Sequence, residues 1–570
     1  MTGADAPAWI VVGRAGDDVG IVTLDAGGTE LERLTLARSE LGTWVAAQER
    51  LGHPRWVWSD TPAWYAPLLG SGVRVERCHD LRLCRAILRD SELVTDAASR
   101  APSPWDAAPV PVDDTPALFD VVDTAASALP DRLDAARDEL LRQRAAMATS
   151  TDPARLRLLT AAESAGALIA VELRAAGVPW DAAEHDRILT GVLGPRPASG
   201  GSPALVVQAA QRVREGLGDP HANLDSHPKL LRALHRAGVL VTSTSRWELA
   251  EHTHPVIEPL LEYKKLTRLL SANGWAWLDE WVADGRFRPV YVPGGVVTGR
   301  WASSGGGALQ LPRQLRAAVR ADPGWKLIVA DVAQLEPRVL AAMSRDTALA
   351  AAANGRDLYE GIVDGGAVPT RAEAKLAVLG AMYGATTGDS GRLVPRLRRA
   401  YPRAMGLVDA AAATGEQGGV VSTWLGRTSP RPSAEWADAQ ARASDDGASA
   451  GQQSHARRAA RDRGRFTRNF IVQGTAAEWA LAWLAEIRRR LAAMPSATHA
   501  PAPRSGAVFA RTPHLAFFLH DEVIVHAPAA MVDDVSVAVT DAAAAATRHL
   551  FGDFPLDFPL DLRVADSAQE

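Results

Sequence analysis

Two strongly apolar segments of the chain end in carboxylates, and this pattern constrains the fold more than any other. Residues 326–331 (KLIVAD) predict a strand ending at Asp331, and residues 515–527 predict two strands folded around the tip His520-Asp521-Glu522. If these strands pair in one sheet, Asp331 and Asp521 lie side by side at its rim. Two aspartates held in this way suit two Mg²⁺ ions about 4 Å apart, which stabilise both oxygens of an in-line phosphoryl transfer. For either aspartate alone, starting a turn or capping a helix is the alternative.

A predicted helix at 370–384 carries four spaced side chains. Arg371, Lys375, Leu379 and Tyr383 recur every four positions, so they share one face. Two cations followed by an apolar and an aromatic group could bind a triphosphate at one end and cover a base at the other. A solvated basic stripe that runs into a core stripe is the alternative. Lys375 favours the first interpretation, because only five of the 62 basic residues are lysines and a lysine can donate a proton to a leaving pyrophosphate.

A second predicted helix joins a run of arginines to an amide-bearing face. Arg465, Asn469 and Gln473 are again four residues apart, and residues 455–468 contain six arginines and one acidic residue. Arginine suits phosphates, whereas asparagine and glutamine suit base edges. A charge run is commonly a solvated surface, but its continuation into the Asn/Gln face favours contact with DNA or RNA.

Composition and charge exclude several classes of protein. The net charge of −5 excludes a generally basic, histone-like chain, while local nucleic-acid binding remains open. No window approaches 18 uninterrupted apolar residues, and the N-terminus lacks the pattern of a signal peptide. The two cysteines, Cys78 and Cys84, cannot staple a chain of 570 residues and lack the partners of a zinc site. We therefore expect no membrane association and a cytoplasmic location.

The secondary structure predicted from the spacing of apolar residues changes along the chain. Short apolar runs in residues 1–95 predict strands mixed with a helix, and five prolines within 102–116 predict a linker. Residues 118–285 have a mostly helical pattern, and strand-like runs mixed with long helices follow. We expect the polar segment 433–454 to be a mobile insertion.

These motifs, in this order, resemble those of the family A DNA polymerases, the DNA polymerase I-like enzymes. Residues 331–338 are similar to the family's motif A, residues 371–384 to motif B and residues 520–522 to motif C. The likeness covers roughly residues 155–570. Further similarities to family motifs occur at Glu262 to Leu266, at Thr298 to Arg300 followed by Leu309 to Pro312, and at Asn469 to Glu478.

The resemblance implies a mixed α+β, right-hand architecture, with an antiparallel palm sheet, a thumb and mostly helical fingers, next to a small N-terminal α/β domain. It implies that the 5′-nuclease domain of larger family members is absent. The implied divisions are a degenerate 3′–5′ exonuclease-like domain (1–125), a linker (126–154), the thumb with the start of the polymerase domain (155–290), the palm (291–345 and 469–570) and the fingers (346–468).

The resemblance also implies a reaction and its site residues. A primer 3′-hydroxyl would attack the α-phosphate of a deoxynucleoside triphosphate, with Lys375 as general acid. Two Mg²⁺ ions, for which Mn²⁺ can substitute, would be held by Asp331, Asp521 and the carbonyl of Val332, with the catalytic Glu522 beside them. The other implied contacts are with the incoming nucleotide (Arg371, Lys375, Leu379, Tyr383, Glu336, Gln334 and Tyr359) and with DNA (Arg300, Gln310, Arg465, Asn469, Gln473 and His520).

Three positions depart from the family pattern. Leu379 stands where the family has phenylalanine or tyrosine, and Tyr359 stands where it usually has a histidine that contacts phosphates. The glycine-rich segment 303–307 replaces a more ordered one. These departures affect nucleotide grip and sugar selection. The position of Glu336 in motif A implies that it blocks a 2′-hydroxyl, supported by a hydrogen bond from Tyr383; a salt bridge from Glu336 to Arg338 or another palm arginine is the alternative.

The N-terminal region lacks the Asp-x-Glu pattern of a 3′–5′ exonuclease. The candidate strand VGIVTLDAGGT offers Asp25 with no glutamate two residues later, and Asp60 and Asp80 are the other acidic candidates. We therefore expect a template-directed DNA polymerase without proofreading, which acts in repair or replication as a nucleoid-associated monomer on a DNA primer–template and dNTPs. The alternatives are a polymerase with an active exonuclease and a catalytically silent DNA-binding scaffold.

Overall fold

A five-stranded sheet organises the N-terminal region of the computed structural model, which describes residues 7–107, 129–198, 200–384, 388–498 and 500–569. The strand order is β3-β2-β1-β4-β5, in which β1, β2 and β3 are antiparallel, and β4 runs parallel to β1 and β5. The elements are β1 (Trp9–Ala15), β2 (Asp18–Leu24), β3 (Glu30–Leu36), α1 (Leu41–Gly52), β4 (Arg55–Trp58), α2 (Thr61–Gly70), β5 (Arg77–Asp80), α3 (Leu81–Asp90) and α4 (Leu133–Ala148).

Helix α4 differs from the expectation that residues 126–154 form a linker. Leu133, Ala136 and Leu140 recur at helical spacing and are buried together with Val11 and Val22 of the N-terminal sheet. The apolar stripe therefore attaches α4 to that sheet. Of the proline-rich segment 102–116, only residues 102–107 are described; they include a short 3₁₀ helix that buries Trp105.

A mostly helical region follows, and its first helix connects the N-terminal sheet to the rest of the molecule. Glu172 in that helix accepts hydrogen bonds from Tyr65 at 2.6 Å and from Arg488 of the C-terminal region at 2.7 Å, and all three side chains are buried. The elements are α5 (Pro153–Ala176), β6 (Val178–Pro179), α6 (Ala182–Leu193), α7 (Ala204–Leu217), α8 (His227–Arg236), α9 (Arg246–Ala250), α10 (Ile257–Asn273), α11 (Trp275–Trp281), β7 (Val282–Ala283), β8 (Arg286–Phe287), β9 (Val290–Val292) and β10 (Ala302–Gly305).

The C-terminal region contains a four-stranded antiparallel sheet in the order β12-β13-β11-β14. We call it the palm sheet. Its apolar strands pack into the largest core cluster of the protein. The elements are β11 (Trp325–Val332), α12 (Leu335–Ser344), α13 (Thr347–Ala353), α14 (Leu358–Asp364), α15 (Arg371–Tyr383), α16 (Gly388–Ala400), α17 (Pro402–Glu416), α18 (Ala434–Ser444), α19 (Ala450–Ala492), α20 (Gly506–Phe509), β12 (His514–Leu519), β13 (Glu522–Pro528), α21 (Val532–Phe551) and β14 (Leu560–Ala565).

Segment 433–454 is not the mobile insertion that its polar composition suggested. It forms α18 and the start of α19, which pack together through the buried Ala439 and Ala456. Ser449 and Gln452 form a capping box that starts α19. Alanine-rich helices need few large apolar residues to pack closely, so composition alone underestimates their order. Within the described ranges, every helix is too short or too polar to cross a lipid bilayer.

Candidate active site

The register of the palm sheet brings the predicted carboxylates together. Asp331 lies opposite Glu522 on one side and opposite Asp561 on the other. Asp521 lies in the tight turn between β12 and β13, and its carbonyl accepts a hydrogen bond from the N–H of Val332 at 3.0 Å. Residue His520 adopts a left-handed conformation (φ 58°) that allows this turn. The strand ends therefore place Asp331 and Asp521 at one rim, as the apolar pattern predicted.

The carboxylates at this rim repel one another. Asp331 is exposed on one side, but partial desolvation, followed by the neighbouring carboxylates Asp521, Glu522 and Asp561, raises its pKa to about 7. Burial also raises the pKa of Asp521. One oxygen of Glu522 pairs with Arg316, but its Oε1 is buried without a hydrogen-bond partner. Excess negative charge on oxygen donors fits a hard divalent cation such as Mg²⁺.

A cavity of about 260 Å³ adjoins the rim. Its apolar wall includes Trp301, Leu481 and Phe518. A site of this kind, mostly apolar with a few convergent polar groups, is typical of small-molecule binding. Seven predicted site residues line it: Arg300, Gln334, Glu336, Tyr359, Tyr383, His520 and Asp521.

Glu336 is held from two sides within this cavity. The Tyr383 hydroxyl donates to its Oε2 at 2.5 Å, and Arg300 forms an ion pair with its Oε1. Burial, followed by this hydrogen bond, raises the pKa of Tyr383 above its ordinary value. Both the expected Tyr383 contact and the alternative, a salt bridge to a palm arginine, are therefore present, the latter through Arg300. Arg338 does not pair with Glu336; it is fully buried and donates to the carbonyls of Ala333, Ala353, Arg356 and Asp557, as well as to the Asp557 side chain.

The predicted cationic face of α15 is present and exposed. Arg371 donates to Asp357 Oδ2 at 2.7 Å, and its guanidinium lies 5.5 Å from the ring centre of Tyr359. Gln334 donates to the same carboxylate oxygen at 3.1 Å. Lys375 is exposed and makes no ion pair or hydrogen bond among the residues that the structure describes.

Leu379 occupies the same face of α15 but is half-buried against the core. The helix ends at Gly384, where a Cβ atom would lie 2.8 Å from the side chain of Arg465. This contact brings the start of the amide-bearing face of α19 close to the end of α15.

The predicted DNA-contacting residues outside the cavity have different environments. Arg465 is exposed and pairs with Asp462, and Gln473 is half-buried. Asn469 is half-buried, with a side-chain oxygen that has no hydrogen-bond partner. Gln310 is exposed in a short 3₁₀ helix. These four residues do not line the 260 Å³ cavity.

Sequence reasoning missed three residues near the rim. Arg316 pairs with Glu522 although 206 positions separate them, and Asp561 reaches the rim on β14. Arg427 packs behind Arg300, as described below. None of these three belongs to a spaced set on one predicted helix or to a predicted strand end, so only the tertiary fold identifies them.

The three acidic candidates of the N-terminal region, Asp25, Asp60 and Asp80, all have structural partners. Asp25 lies at the end of β2 and accepts from the N–H groups of Gly28 and Thr29 at 2.7 and 2.8 Å, which stabilises the hairpin to β3. Asp60 pairs with Arg82 at 2.9 Å. Asp80 is fully buried and caps α3.

Comparison with known proteins identifies the fold. The structure superposes on the POL domain of Pol1 from M. smegmatis, solved in complex with DNA primer–template and dNTP, with a TM-score of 0.67 over 98% of this chain and 95% of that one at 19% identity. This likeness confirms the expected mixed α+β, right-hand fold. The four-stranded palm sheet is part of the superposed chain.

Sequence comparison points the same way. The chain is 28% identical over 404 residues to the thermostable DNA polymerase I of Thermus thermophilus, which covers 63% of this chain and 43% of that protein. It is 28% identical over 355 residues to DNA polymerase I of Chloroflexus aurantiacus, covering 57% of this chain and 34% of that protein. The chain thus spans less than half the length of these relatives. The profile of DNA polymerase family A matches residues 222–567, more than half of the chain, which therefore belongs to that family.

Proposed function

We propose that the protein is a template-directed DNA polymerase that extends a primer 3′-hydroxyl with dNTPs. The observation that carries the proposal is the rim of the palm sheet, where Asp331 and Asp521 meet beside a cavity lined by Glu336 and Tyr383. We further propose that the chain acts as a nucleoid-associated monomer in repair or replication. The proposal keeps the polymerase divisions that the family resemblance implies: thumb 155–290, palm 291–345 and 469–570, and fingers 346–468.

Asp331, Asp521 and the carbonyl of Val332 would hold two Mg²⁺ ions, or Mn²⁺ in their place. When bound, such ions activate the attacking hydroxyl and neutralise charge on the reacting phosphate. Desolvation and repulsion from neighbouring carboxylates raise the pKa of Asp331, which supports this assignment because a bound cation would stabilise the ionised carboxylate. Glu522, with one oxygen on Arg316 and the other unpartnered, lies close enough in register to orient Asp331.

The face of α15 would bind the triphosphate. Arg371 offers a planar guanidinium to phosphate oxygens. The ring of Tyr359 lies against this guanidinium, and Gln334 donates to the Asp357 carboxylate that binds it. Lys375 would donate a proton to the leaving pyrophosphate, which its exposed and unpaired ammonium is free to do. Leu379 and Tyr383 would lie near the base and sugar.

Glu336 would select the sugar. A carboxylate fixed between Arg300 and Tyr383 leaves neither space nor a hydrogen-bonding vacancy beneath the sugar for a 2′-hydroxyl. Arg465, Asn469, Gln473, Gln310, Arg300 and His520 would contact the primer–template. The exposed arginines Arg457, Arg458 and Arg461 at the start of α19 supply positive charge for the phosphate backbone.

We propose that the N-terminal region does not proofread. Its candidate acids Asp25, Asp60 and Asp80 are each engaged in a turn, an ion pair or a helix cap. Asp60 is near enough to raise the pKa of Asp80, but among the described residues neither belongs to a group of three possible metal ligands within 4.8 Å of one another. A polymerase with an active exonuclease remains the second candidate function, and the exonuclease-like character of residues 1–125 remains part of the proposal.

One assay tests these functions. The protein is incubated with a labelled primer–template carrying a matched or mismatched primer end, with Mg²⁺, and with or without dNTPs. Lengthening with dNTPs supports the polymerase. Metal-dependent shortening that requires Asp25, Asp60 or Asp80 would show an exonuclease. A primer that changes in neither direction, while the protein binds the DNA, would indicate a scaffold and overturn the proposal.

A further inference from the structure

We infer that Arg427 is a positioning residue for the sugar-selecting pocket, and that residues 91–93 of the N-terminal region support it from behind. This inference rests on the proposed polymerase function. It concerns a hairpin at residues 421–429, between α17 and α18, which we call the brace hairpin. The brace hairpin does not line the pocket itself.

The brace hairpin is a rigid element. Ser422 and Thr428 form an antiparallel bridge, and the N–H of Thr423 donates to the Arg427 carbonyl at 2.9 Å. The buried Glu478 of α19 anchors it, because one carboxylate oxygen accepts from the N–H of Leu425 at 2.9 Å and the other accepts from the Thr423 hydroxyl. Since every polar group of this anchor is paired, the hairpin has a defined position relative to α19.

Arg427 connects the brace hairpin to the turn that carries Arg300. Its Nη2 forms an ion pair of 2.6 Å with Glu163 of α5, in which the exposed fractions of the two side chains are 12% and 1%. The guanidinium lies against Gly299, where a Cβ atom would be 2.5 Å from its Nε. Gly299 has a φ of +84°, which glycine adopts readily, and the lack of a side chain there lets the guanidinium approach the backbone.

Backbone hydrogen bonds within the turn connect Gly299 to Arg300, which lines the pocket. The N–H of Gly299 donates to the Val296 carbonyl at 2.7 Å, and the N–H of Val296 donates to the Arg300 carbonyl at 3.1 Å. The next side chain, Arg300, pairs with Glu336, whose other oxygen accepts from Tyr383. If Arg427 no longer fixes the turn, Arg300 can move away, and Glu336 then keeps only one of its two partners.

The N-terminal region contacts the other side of the brace hairpin. The hydroxyl of Ser91, which is fully buried, donates to the Gly426 carbonyl at 2.7 Å. The N–H of Glu92 donates to the Thr428 hydroxyl at 3.0 Å. A Cβ atom at Gly426 would lie 2.4 Å from Leu93 Cδ1, so the two surfaces are in close contact. The N-terminal region therefore supports the brace hairpin directly.

The test measures sugar discrimination in single-turnover primer extension with dCTP and with CTP. Arg427→Gln is expected to lower the dCTP-to-CTP preference about tenfold, because a selective contact loses one of its two anchors. The loss should come mainly from faster CTP incorporation, whereas general destabilisation would slow both nucleotides equally. Arg427→Lys, which keeps the charge but not the planar fork, should lie between wild type and Arg427→Gln.

Two further variants and a control variant make the test decisive. Glu163→Gln combined with Arg427→Gln removes both buried charges, so it avoids an unpaired carboxylate and is the variant to use if Arg427→Gln does not fold. Ser91→Ala should shift the preference in the same direction by a smaller factor. Arg187→Gln, which breaks an exposed pair with Glu184, is the matched control and should change nothing.

The outcomes separate this inference from the proposed function. If the wild-type protein extends no primer with dCTP, the proposed function fails and the inference fails with it. If wild type extends the primer and prefers dCTP, but folded Arg427 variants keep that preference unchanged, the inference alone is overturned. A lowered preference in the Arg427 variants, with none in Arg187→Gln, supports it.

Discussion

Acidic residues stand at strand ends in both the N-terminal sheet and the palm sheet, but their surroundings differ. Asp25, Asp60 and Asp80 each have a donor or a cation in the fold, although burial and the neighbouring Asp60 raise the pKa of Asp80 to about 6. Asp331 instead faces other carboxylates, and burial together with these neighbours raises its pKa to about 7. The difference separates acids that stabilise the fold from acids that the fold leaves uncompensated, and uncompensated groups in a cleft are the better candidates for chemistry.

The largest expected effect comes from removing a rim carboxylate. Asp331→Asn or Asp521→Asn should lower primer extension to below about one thousandth, because both ions of a two-metal site depend on these ligands. DNA affinity, measured by fluorescence anisotropy of a labelled primer–template, should change less than about threefold, because arginines distant from the rim supply most of it. Asp534→Asn, at an exposed position in the first turn of α21, is the matched control.

The assignment of the rim would be wrong if either variant extended primers at a rate close to wild type. A parallel loss of DNA affinity would instead show that these aspartates organise the DNA-binding surface rather than the reaction.

Two lysines also differ in whether the fold gives them a partner, and this difference gives the second prediction. Lys375 is unpaired among the described residues, whereas Lys326 pairs with Asp566 at 2.7 Å. Lys375→Arg should slow single-turnover extension by about 10²–10⁴-fold, because arginine keeps the charge but does not give up a proton at neutral pH. Lys326→Arg should leave the rate unchanged. Equal rates for the two variants would show that Lys375 is not the general acid and acts only as a positive charge or as a surface residue.

The parts of this site that could be predicted from sequence are those with a local signal. An apolar run ending in a carboxylate predicted β11 and the β12–β13 turn, and spacing by four predicted the shared faces of α15 and α19. Each depends on the period of a single element, which sequence records directly.

The parts that could not be predicted depend on distant partners. Arg316 and Glu522 are 206 positions apart, and Arg427 and Glu163 are 264 positions apart. Nothing in either local sequence marks these arginines among the many in the chain. Similarly, the proline-rich stretch before α4 favours a linker in this part of the sequence. Only the packing of Leu133 and Leu140 against the N-terminal sheet shows that α4 belongs to that region.

A third prediction concerns Asp80, a structural acid of the N-terminal sheet. Its oxygens accept from the N–H of Leu83 at 2.9 Å and from the N–H and hydroxyl of Thr61 at 2.8 and 2.7 Å. Asp80→Asn replaces an acceptor with a donor, so the free energy of unfolding should fall by about 1–3 kcal/mol. Primer extension below the unfolding temperature should not change, and neither wild type nor variant should shorten a mismatched primer. Shortening that disappears in this variant would instead assign Asp80 to nuclease chemistry.

The smallest expected effect is on the free energy of unfolding, and it compares the two regions directly. Removing the Asp331 charge at the palm rim should raise this free energy, whereas replacing Asp80 in the N-terminal region should lower it. The pKa of Asp331 is raised from 3.8 to about 7 in the folded state, so its ionisation opposes folding. Below about pH 4 the group is protonated in both states and has no effect; the destabilisation grows as the pH rises and is complete above about pH 7.

Asp331→Asn, measured in EDTA, should therefore raise the free energy of unfolding at pH 8 by up to about 1 kcal/mol after solvent screening, and by less at pH 5. Burial raises the pKa of Asp80 to about 6, so its ionisation also opposes folding, but Asp80→Asn loses an acceptor for the N–H of Thr61 or Leu83 and should lower the free energy of unfolding at pH 8. Adding Mg²⁺ should raise the thermal unfolding midpoint of wild type more than that of Asp331→Asn, since the ion binds where the charge was. A variant less stable than wild type at pH 8 in EDTA would show that Asp331, like Asp80, is held by partners of its own.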